Sequence, residues 1–244
     1  MGLLDAVSIP RRTMVLFFLV DTSGSMNGDK IGAVNEAIRE VIPEIKDISS
    51  ENADALIKIA VLDFSSGARW LYDTPAEADQ FVWNNLEAGG LTDMGVAFNM
   101  LNEKLSRTQF MADAVGSYAP AIFMMSDGEP TDEYKKGLEE LRKNKWFKVA
   151  IKVAVAIGEG ANTEILKEFT GNEECVLTVR TPEALKKMIR FASVTASQIG
   201  SKSSGVGMGD ATDADSNQKA ADFAGQIKTF QQDNTDTTNV QDGW

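Results

Sequence analysis

Three short oxygen-rich motifs give this sequence its candidate chemistry. The first is DTSGSM, in which Asp21, Ser23 and Ser25 place a carboxylate and two hydroxyls at alternate positions. The second is Thr92 in GGLTD, and the third is Asp127 in SDG. Carboxylates, hydroxyls and retained waters are the ligands that suit a hard divalent cation such as Mg²⁺. The motifs therefore predict one oxygen-ligand metal site built from Asp21, Ser23, Ser25, Thr92 and Asp127.

The chain lacks the residues that most catalytic and transition-metal sites require. No histidine occurs among the 244 residues, and Cys175 is the only cysteine. Ser-His-Asp catalysis, Cys-His catalysis and His-ligated zinc or iron therefore cannot be assembled within this chain. A single cysteine excludes an intrachain disulfide and fits a reducing compartment. Any metal must be held by oxygen atoms, which favours Mg²⁺ and leaves Mn²⁺ and Ca²⁺ as alternatives.

Charge and hydropathy limit the partners. The formal net charge of −12 argues against nucleic acid, because phosphate recognition needs clustered Lys and Arg, and equally against anionic membranes. Arg11 and Arg12 precede an apolar run that superficially resembles a signal peptide. That run covers only seven residues and ends in an aspartate, so a buried strand is the better interpretation. Without an apolar stretch of roughly 18 residues no membrane helix is predicted. We expect a cytoplasmic protein.

The elements that must position the three motifs alternate along the chain. Apolar runs predict buried strands at residues 13–20, 57–64, 119–125, 149–157 and 175–179. Residues 68–72 follow a Ser-Ser-Gly turn and predict an antiparallel edge strand. Helical spacing of apolar residues fills the intervals, and Pro43 predicts a kink or an end in the first helix. The pattern predicts an α/β fold with a doubly wound, mostly parallel six-stranded sheet, whose ligands gather at the carboxyl ends of strands.

The chain divides by composition into three parts. Residues 1–12 are expected to be an N-terminal extension, and residues 13–199 form the predicted domain. Residues 200–244 contain three lysines, seven aspartates and no glutamate, a composition typical of a polar, disordered tail. Within that tail Phe223, Ile227 and Phe230 recur at helical spacing and predict a short docking helix near residues 221–231. The alternative is a solvated tail with isolated apolar side chains.

The motifs, in this order, resemble the metal-ion-dependent adhesion site of von Willebrand factor A (VWA) domains, and the resemblance covers about residues 13–199. More narrowly, LVDTSGSM, SDGEPTD and TPEALKKMIRFASVTASQIGSKS resemble bacterial TerY-like proteins associated with tellurite resistance. This resemblance implies a non-enzymatic cytosolic adaptor that works beside a protein kinase and a protein phosphatase in stress signalling. It also implies a protein partner whose Asp or Glu completes the coordination of the metal.

Two other functions remain open. A metal-dependent phosphohydrolase or phosphotransferase would use Asp21 as its nucleophile, but the chain has no histidine and no G-x-x-x-x-G-K-[ST] loop. Ser23 also stands where such enzymes usually have a second aspartate. A metal-free scaffold would use the same residues as turn and capping groups, for which serine, threonine and Asp-Gly pairs are ordinary choices. All three motifs together favour the metal-dependent interaction module.

Overall fold

The computed structural model describes residues 11–113, 116–200 and 213–233. Within them the strands are β1 (Arg12–Asp21), β2 (Ala55–Ser65), β3 (Gly67–Trp70), β4 (Ala76–Glu77), β5 (Ala121–Ser126), β6 (Ile151–Ile157) and β7 (Val176–Val179). The helices are α1 (Asp29–Glu51), α2 (Met94–Lys104), α3 (Tyr134–Lys143), α4 (Lys145–Val149), α5 (Thr163–Thr170), α6 (Pro182–Gly200) and α7 (Asp213–Asp233). Short 3-10 turns occupy Gly24–Met26 and Glu173–Cys175.

The strands form one sheet in the order β3-β2-β1-β5-β6-β7. Strands β2, β1, β5, β6 and β7 are parallel, and β3 pairs antiparallel with β2 at the edge. The predicted doubly wound, mostly parallel α/β sheet with an antiparallel edge strand is therefore confirmed. The structure adds the two-residue strand β4, which also pairs antiparallel with β2. A strand this short leaves no alternation in the sequence by which to find it.

The central strand β1 is buried on both faces, as its continuous apolar sequence predicts. Side chains alternate between two layers because successive strand residues point to opposite faces. Met14, Leu16 and Phe18 pack in the layer of α1, α6 and α7, whereas Val15, Phe17 and Leu19 pack in the layer of α2, α3 and α5. No helix among the described residues is both long and apolar enough to span a bilayer.

Helix α1 does not end at Pro43, as one form of the prediction had it, but continues to Glu51. Proline in a helix interior removes a hydrogen bond and clashes with the preceding turn, at a cost of about 3 kcal/mol. Pro43 is exposed, while Val41, Ile42 and Ile45 around it are buried against the sheet. Packing of these buried side chains stabilises the helix enough for it to continue beyond the proline.

Helix α7 lies where composition predicts a disordered tail. Its Phe223 and Ile227 are fully buried, and Phe230 stacks on Phe191 of α6 with ring centroids 4.0 Å apart. The apolar side chains predicted to dock are therefore packed on the chain's own domain. Their helical spacing allows this segment to pack although its average composition is polar. The rest of the predicted tail, 201–212 and 234–244, and residues 1–10 of the predicted N-terminal extension lie outside the described residues.

Candidate metal site

The candidate site lies at the carboxyl edge of the sheet between β1 and β5. Asp21 is the last residue of β1, and Asp127 directly follows Ser126, the last residue of β5. Val20 pairs with Met125 in the parallel register, so Asp21 lies level with Ser126 and Asp127 follows one position later on the neighbouring strand's end. The chain proceeds from β1 to β2 on one side and reaches β5 on the other. This is the switch point at which sheets of this class bind ligands.

The Asp21 carboxylate is fully buried and held in a fixed orientation. The backbone amide of Ser23 donates to its Oδ1 over 2.9 Å, and the Ser126 hydroxyl donates to its Oδ2 over 2.6 Å. Burial raises the pKa of Asp21 above its ordinary value; these hydrogen bonds oppose the rise, and the Asp127 charge adds to it. Because burial has the larger effect, the net shift of the pKa is upward. The ionised carboxylate is therefore unfavourable in the folded protein, and a cation beside it would be favourable.

The two serine hydroxyls of DTSGSM lie close to each other. Ser23 Oγ and Ser25 Oγ are 3.0 Å apart, with Ser23 buried and Ser25 exposed. Between them the amide of Gly24 donates to the Gly90 carbonyl over 3.1 Å, and a Cβ at Gly24 would lie 3.3 Å from that oxygen. Glycine thus permits the close approach of the GGLTD loop.

Thr92 is buried and tied to the third motif. Its amide donates to Thr131 Oγ1 over 2.9 Å, and its carbonyl accepts from the Thr131 amide over 2.9 Å. The N-cap of α2 is Asp93 rather than Thr92, so the capping alternative for Thr92 does not hold. The backbone bonds to Thr131 hold Thr92 beside the loop that begins at Asp127.

Asp127 is the least satisfied polar residue of the site. Its Oδ2 faces Lys30 Nζ at 3.4 Å, while its Oδ1 is buried without a hydrogen-bond partner among the described residues. A buried carboxylate oxygen without a partner bears its desolvation cost uncompensated, and such groups in native structures call for a ligand or an ion. The residues therefore fit the predicted cation.

The structure joins all three predicted motifs through hydrogen bonds between their loops. Gly24 and Thr22 bond to the GGLTD loop, and that loop bonds to Thr131. Sequence reasoning missed four residues that support the arrangement: Ser126 orients Asp21, Thr131 anchors Thr92, Lys30 faces Asp127, and Asp132 accepts from the first amides of α2. These contacts join distant parts of the chain, and no local pattern signals them.

A metal site here would need oxygen ligands besides carboxylates. Among the described residues no three Asp, Glu or Cys side chains come together in a way that could hold a metal ion. Two carboxylates and the hydroxyls beside them form an all-oxygen donor set, which suits hard cations that keep part of their water shell.

Comparison with known proteins identifies the family. Residues 16–191 match the model of the von Willebrand factor type A domain, and no curated protein sequence matches significantly.

A von Willebrand factor type A structure from Catenulispora acidiphila has TM-score 0.57 and 19% identity, covering 76% of this chain and 43% of that one. The ArnB paralog VWA2 from Sulfolobus acidocaldarius has TM-score 0.54 and 19% identity, covering 73% of this chain and 44% of that one. Proximal thread matrix protein 1 from the mussel byssus is described with a zinc-occupied metal-ion-dependent adhesion site (MIDAS) motif. It has TM-score 0.56 and 16% identity, covering 74% of this chain and 47% of that one. This chain therefore spans less than half the length of each of these proteins. With most of its residues matched by the family model, the chain belongs to the von Willebrand factor type A domain family.

Proposed function

We propose that this chain is a protein-interaction module that binds its partner through a divalent cation. VWA domains are typically non-enzymatic interaction modules, and members of the family can carry a metal site. In this chain the proposed ligands are Asp21, Ser23, Ser25, Thr92 and Asp127. The buried, unpartnered Oδ1 of Asp127 beside the buried Asp21 carboxylate is the observation that carries the proposal.

The proposed ligands are of two kinds, neutral hydroxyls and charged carboxylates. Ser23, Ser25 and Thr92 offer hydroxyl oxygens, and the two aspartates supply negative charge directly or through bound water. Ser126 and the Ser23 amide fix the direction of the Asp21 carboxylate. With neutral hydroxyls among its ligands, the cation would supply net positive charge and an exchangeable position for a partner Asp or Glu.

The environment of Asp21 argues against the enzyme alternative. A nucleophilic carboxylate needs an oxygen free to reach its substrate. Asp21 is 0% exposed, and both its oxygens already accept hydrogen bonds. This arrangement orients a charge and is unsuited to attack on a phosphorus atom.

We favour Mg²⁺ as the cation, with Mn²⁺ or Ca²⁺ as alternatives, because every candidate ligand atom is oxygen. Zinc belongs in the same test, since the MIDAS motif of the mussel protein is described as zinc-occupied.

The narrower motif resemblance supports a more specific role. We propose a cytoplasmic TerY-like adaptor in bacterial stress signalling of the tellurite-resistance type. Its partners would be proteins that offer an acidic residue to the metal, among them a protein kinase and a protein phosphatase. Neither nucleic acid nor membrane fits a chain with a net charge of −12.

Calorimetry on metal-stripped protein tests the metal site directly. Mg²⁺, Mn²⁺, Ca²⁺ and Zn²⁺ are titrated into wild type, Asp21→Ala and the surface control Asp47→Asn. Saturable binding by wild type and the control, lost in Asp21→Ala, is expected. Partner capture in Mg²⁺ and in EDTA then tests the interaction, which should fail in EDTA and in Asp21→Ala. Unchanged capture in both would refute the proposal, and metal-dependent phosphoester turnover abolished by Asp21→Ala would establish the enzyme instead.

A further inference from the structure

The loops that form the candidate site are far more acidic than the chain as a whole. Residues 21–30, 87–93 and 127–133 carry eight carboxylates and one ammonium group, whereas the complete chain has 36 acidic and 24 basic residues. Further cations on adjoining segments are Arg69, which pairs with Asp63, and Lys135 and Lys136 in the first turn of α3. The acidic excess is therefore concentrated around the site.

Half of these carboxylates are engaged within the structure. Asp21 and Asp127 belong to the site, the Asp93 carboxylate accepts from the Gly67 amide, and Asp132 accepts from amides of α2. The remaining four are exposed and have no ion-pair partner among the described residues: Asp29, Glu87, Glu129 and Glu133. We call these four the acidic rim. Asp29 is the first residue of α1, Glu87 lies on the segment that precedes α2, and Glu129 and Glu133 lie on the loop that follows β5.

A bound cation would not reverse the charge of this surface. With eight carboxylates against one ammonium group, the two positive charges of a divalent ion still leave these loops at −5. A partner carboxylate that approaches the cation must therefore pass a negative field. Like charges facing each other across an interface cost free energy and slow association, whereas complementary charges speed it.

Resting on the proposed function, we propose that the partner segment carries its metal-binding Asp or Glu between Lys or Arg residues. The unpartnered Oδ1 of the buried Asp127 calls for a cation at the centre, and the acidic rim calls for basic residues around it. An extended peptide advances about 3.3 Å per residue, so side chains one or two positions from the ligand lie within about one Debye length of it, roughly 8 Å at physiological salt. Leu91 and Val96, which precede and follow Thr92 in the sequence, are 57% and 38% exposed and offer apolar contact area.

Three labelled peptides of equal length test the proposal. Each has one central Glu, flanked at two positions on either side by Lys, by Ser or by Glu, and binding is followed by fluorescence anisotropy with Mg²⁺ or EDTA. The Lys-flanked peptide should bind about tenfold more tightly than the Ser-flanked one, and the Glu-flanked peptide should bind weakest. Binding should disappear in EDTA and when the central Glu is replaced by Gln. The advantage of lysine should shrink as salt is raised.

A pair of charge-matched variants separates the acidic rim from net charge. The double variant Glu129→Gln and Glu133→Gln should remove most of the Lys advantage. Asp47→Asn with Glu51→Gln makes the same change in charge at the far end of α1 and should leave it intact. Equal Mg²⁺-dependent affinity for all three peptides would overturn this inference and leave the proposed function standing. Binding of the Lys-flanked peptide that survives EDTA would also overturn it, and no Mg²⁺-dependent binding by any peptide would overturn both.

Discussion

Replacing Asp21 by asparagine should stabilise the metal-free protein and abolish its stabilisation by Mg²⁺. Asparagine matches aspartate in size and can still accept from the Ser23 amide, while its NH₂ group can donate to Ser126 Oγ. The substitution therefore removes a fully buried negative charge and leaves the local packing in place. Metal-free stability should rise because burial makes the ionised carboxylate unfavourable in the folded state.

The pH dependence of the effect follows from the direction of the pKa shift. Burial raises the pKa of Asp21 in the folded protein above the ordinary value of 3.8. Below 3.8 the carboxyl is protonated in both the folded and the unfolded state, and the penalty is absent. As pH rises through the folded-state pKa the penalty grows to its full size, so wild type and Asp21→Asn should differ most near neutral pH and converge in acid.

Opposing contributions set the size of the effect. Burying one ion costs several kcal/mol, and two hydrogen bonds to the charged group return about 1.5–3 kcal/mol each. The net gain from asparagine is on the order of 1 kcal/mol, or about 2–4 °C in Tm for a domain of this size. Mg²⁺ at ten times its Kd would add about 1.4 kcal/mol to wild type alone. The order of stability should therefore reverse when Mg²⁺ is added.

Thermal unfolding at pH 7 in EDTA and in excess Mg²⁺ measures both effects. Asp47→Asn serves as the control, because Asp47 is exposed on the far half of α1 and its variant should behave as wild type. A lower Tm for Asp21→Asn in EDTA would refute the argument that Asp21 is under-compensated. A Mg²⁺ response as large as that of wild type would show that Asp21 is no ligand.

Three further substitutions test separate parts of the structure. Thr92→Ala should weaken Mg²⁺ binding while the circular dichroism spectrum stays that of wild type, and calorimetry with unchanged affinity would remove Thr92 from the ligand set. Gly128→Ala should destabilise the fold by about 1–3 kcal/mol, because Gly128 has φ +75° and a Cβ there would lie 2.6 Å from the Asn162 carbonyl oxygen; equal denaturant midpoints would contradict this. Phe223→Ala should cost about 3–5 kcal/mol and make α7 sensitive to limited proteolysis, and a protease-resistant variant of unchanged stability would show that α7 contributes little.

The parts of this fold that the sequence predicts are those with local signals. The continuous apolar run before Asp21 is enough to identify a strand buried on both faces. The repeated alternation of strands and helices then fixes a parallel sheet, and the carboxyl ends of β1 and β5 follow from it. Asp21 and Asp127 could be placed at one edge because parallel strands end together.

The supporting contacts could not be predicted because they join residues far apart in the chain. Ser126 reaches Asp21 across 105 positions, and Lys30 reaches Asp127 across 97. A serine beside an aspartate or a lysine in the first turn of a helix is common in any sequence. Helix α7 was predicted only as a short docking segment near residues 221–231, because the surface on which Phe223 and Ile227 are buried belongs to distant parts of the chain.

The cost built into the site is itself an argument for a ligand. The fold brings two carboxylates to the ends of adjacent strands, buries both, and leaves Oδ1 of Asp127 without a partner. Lys30 offsets only part of this charge, because its Nζ lies 3.4 Å from the other oxygen of Asp127 and faces neither oxygen of Asp21. Asparagine or serine at either position would satisfy the same backbone at lower electrostatic cost. Buried charges that lower the stability of a fold are typical of sites where ligand binding offsets that cost. A cation bound by both aspartates therefore accounts for two buried carboxylates that would otherwise only destabilise the protein.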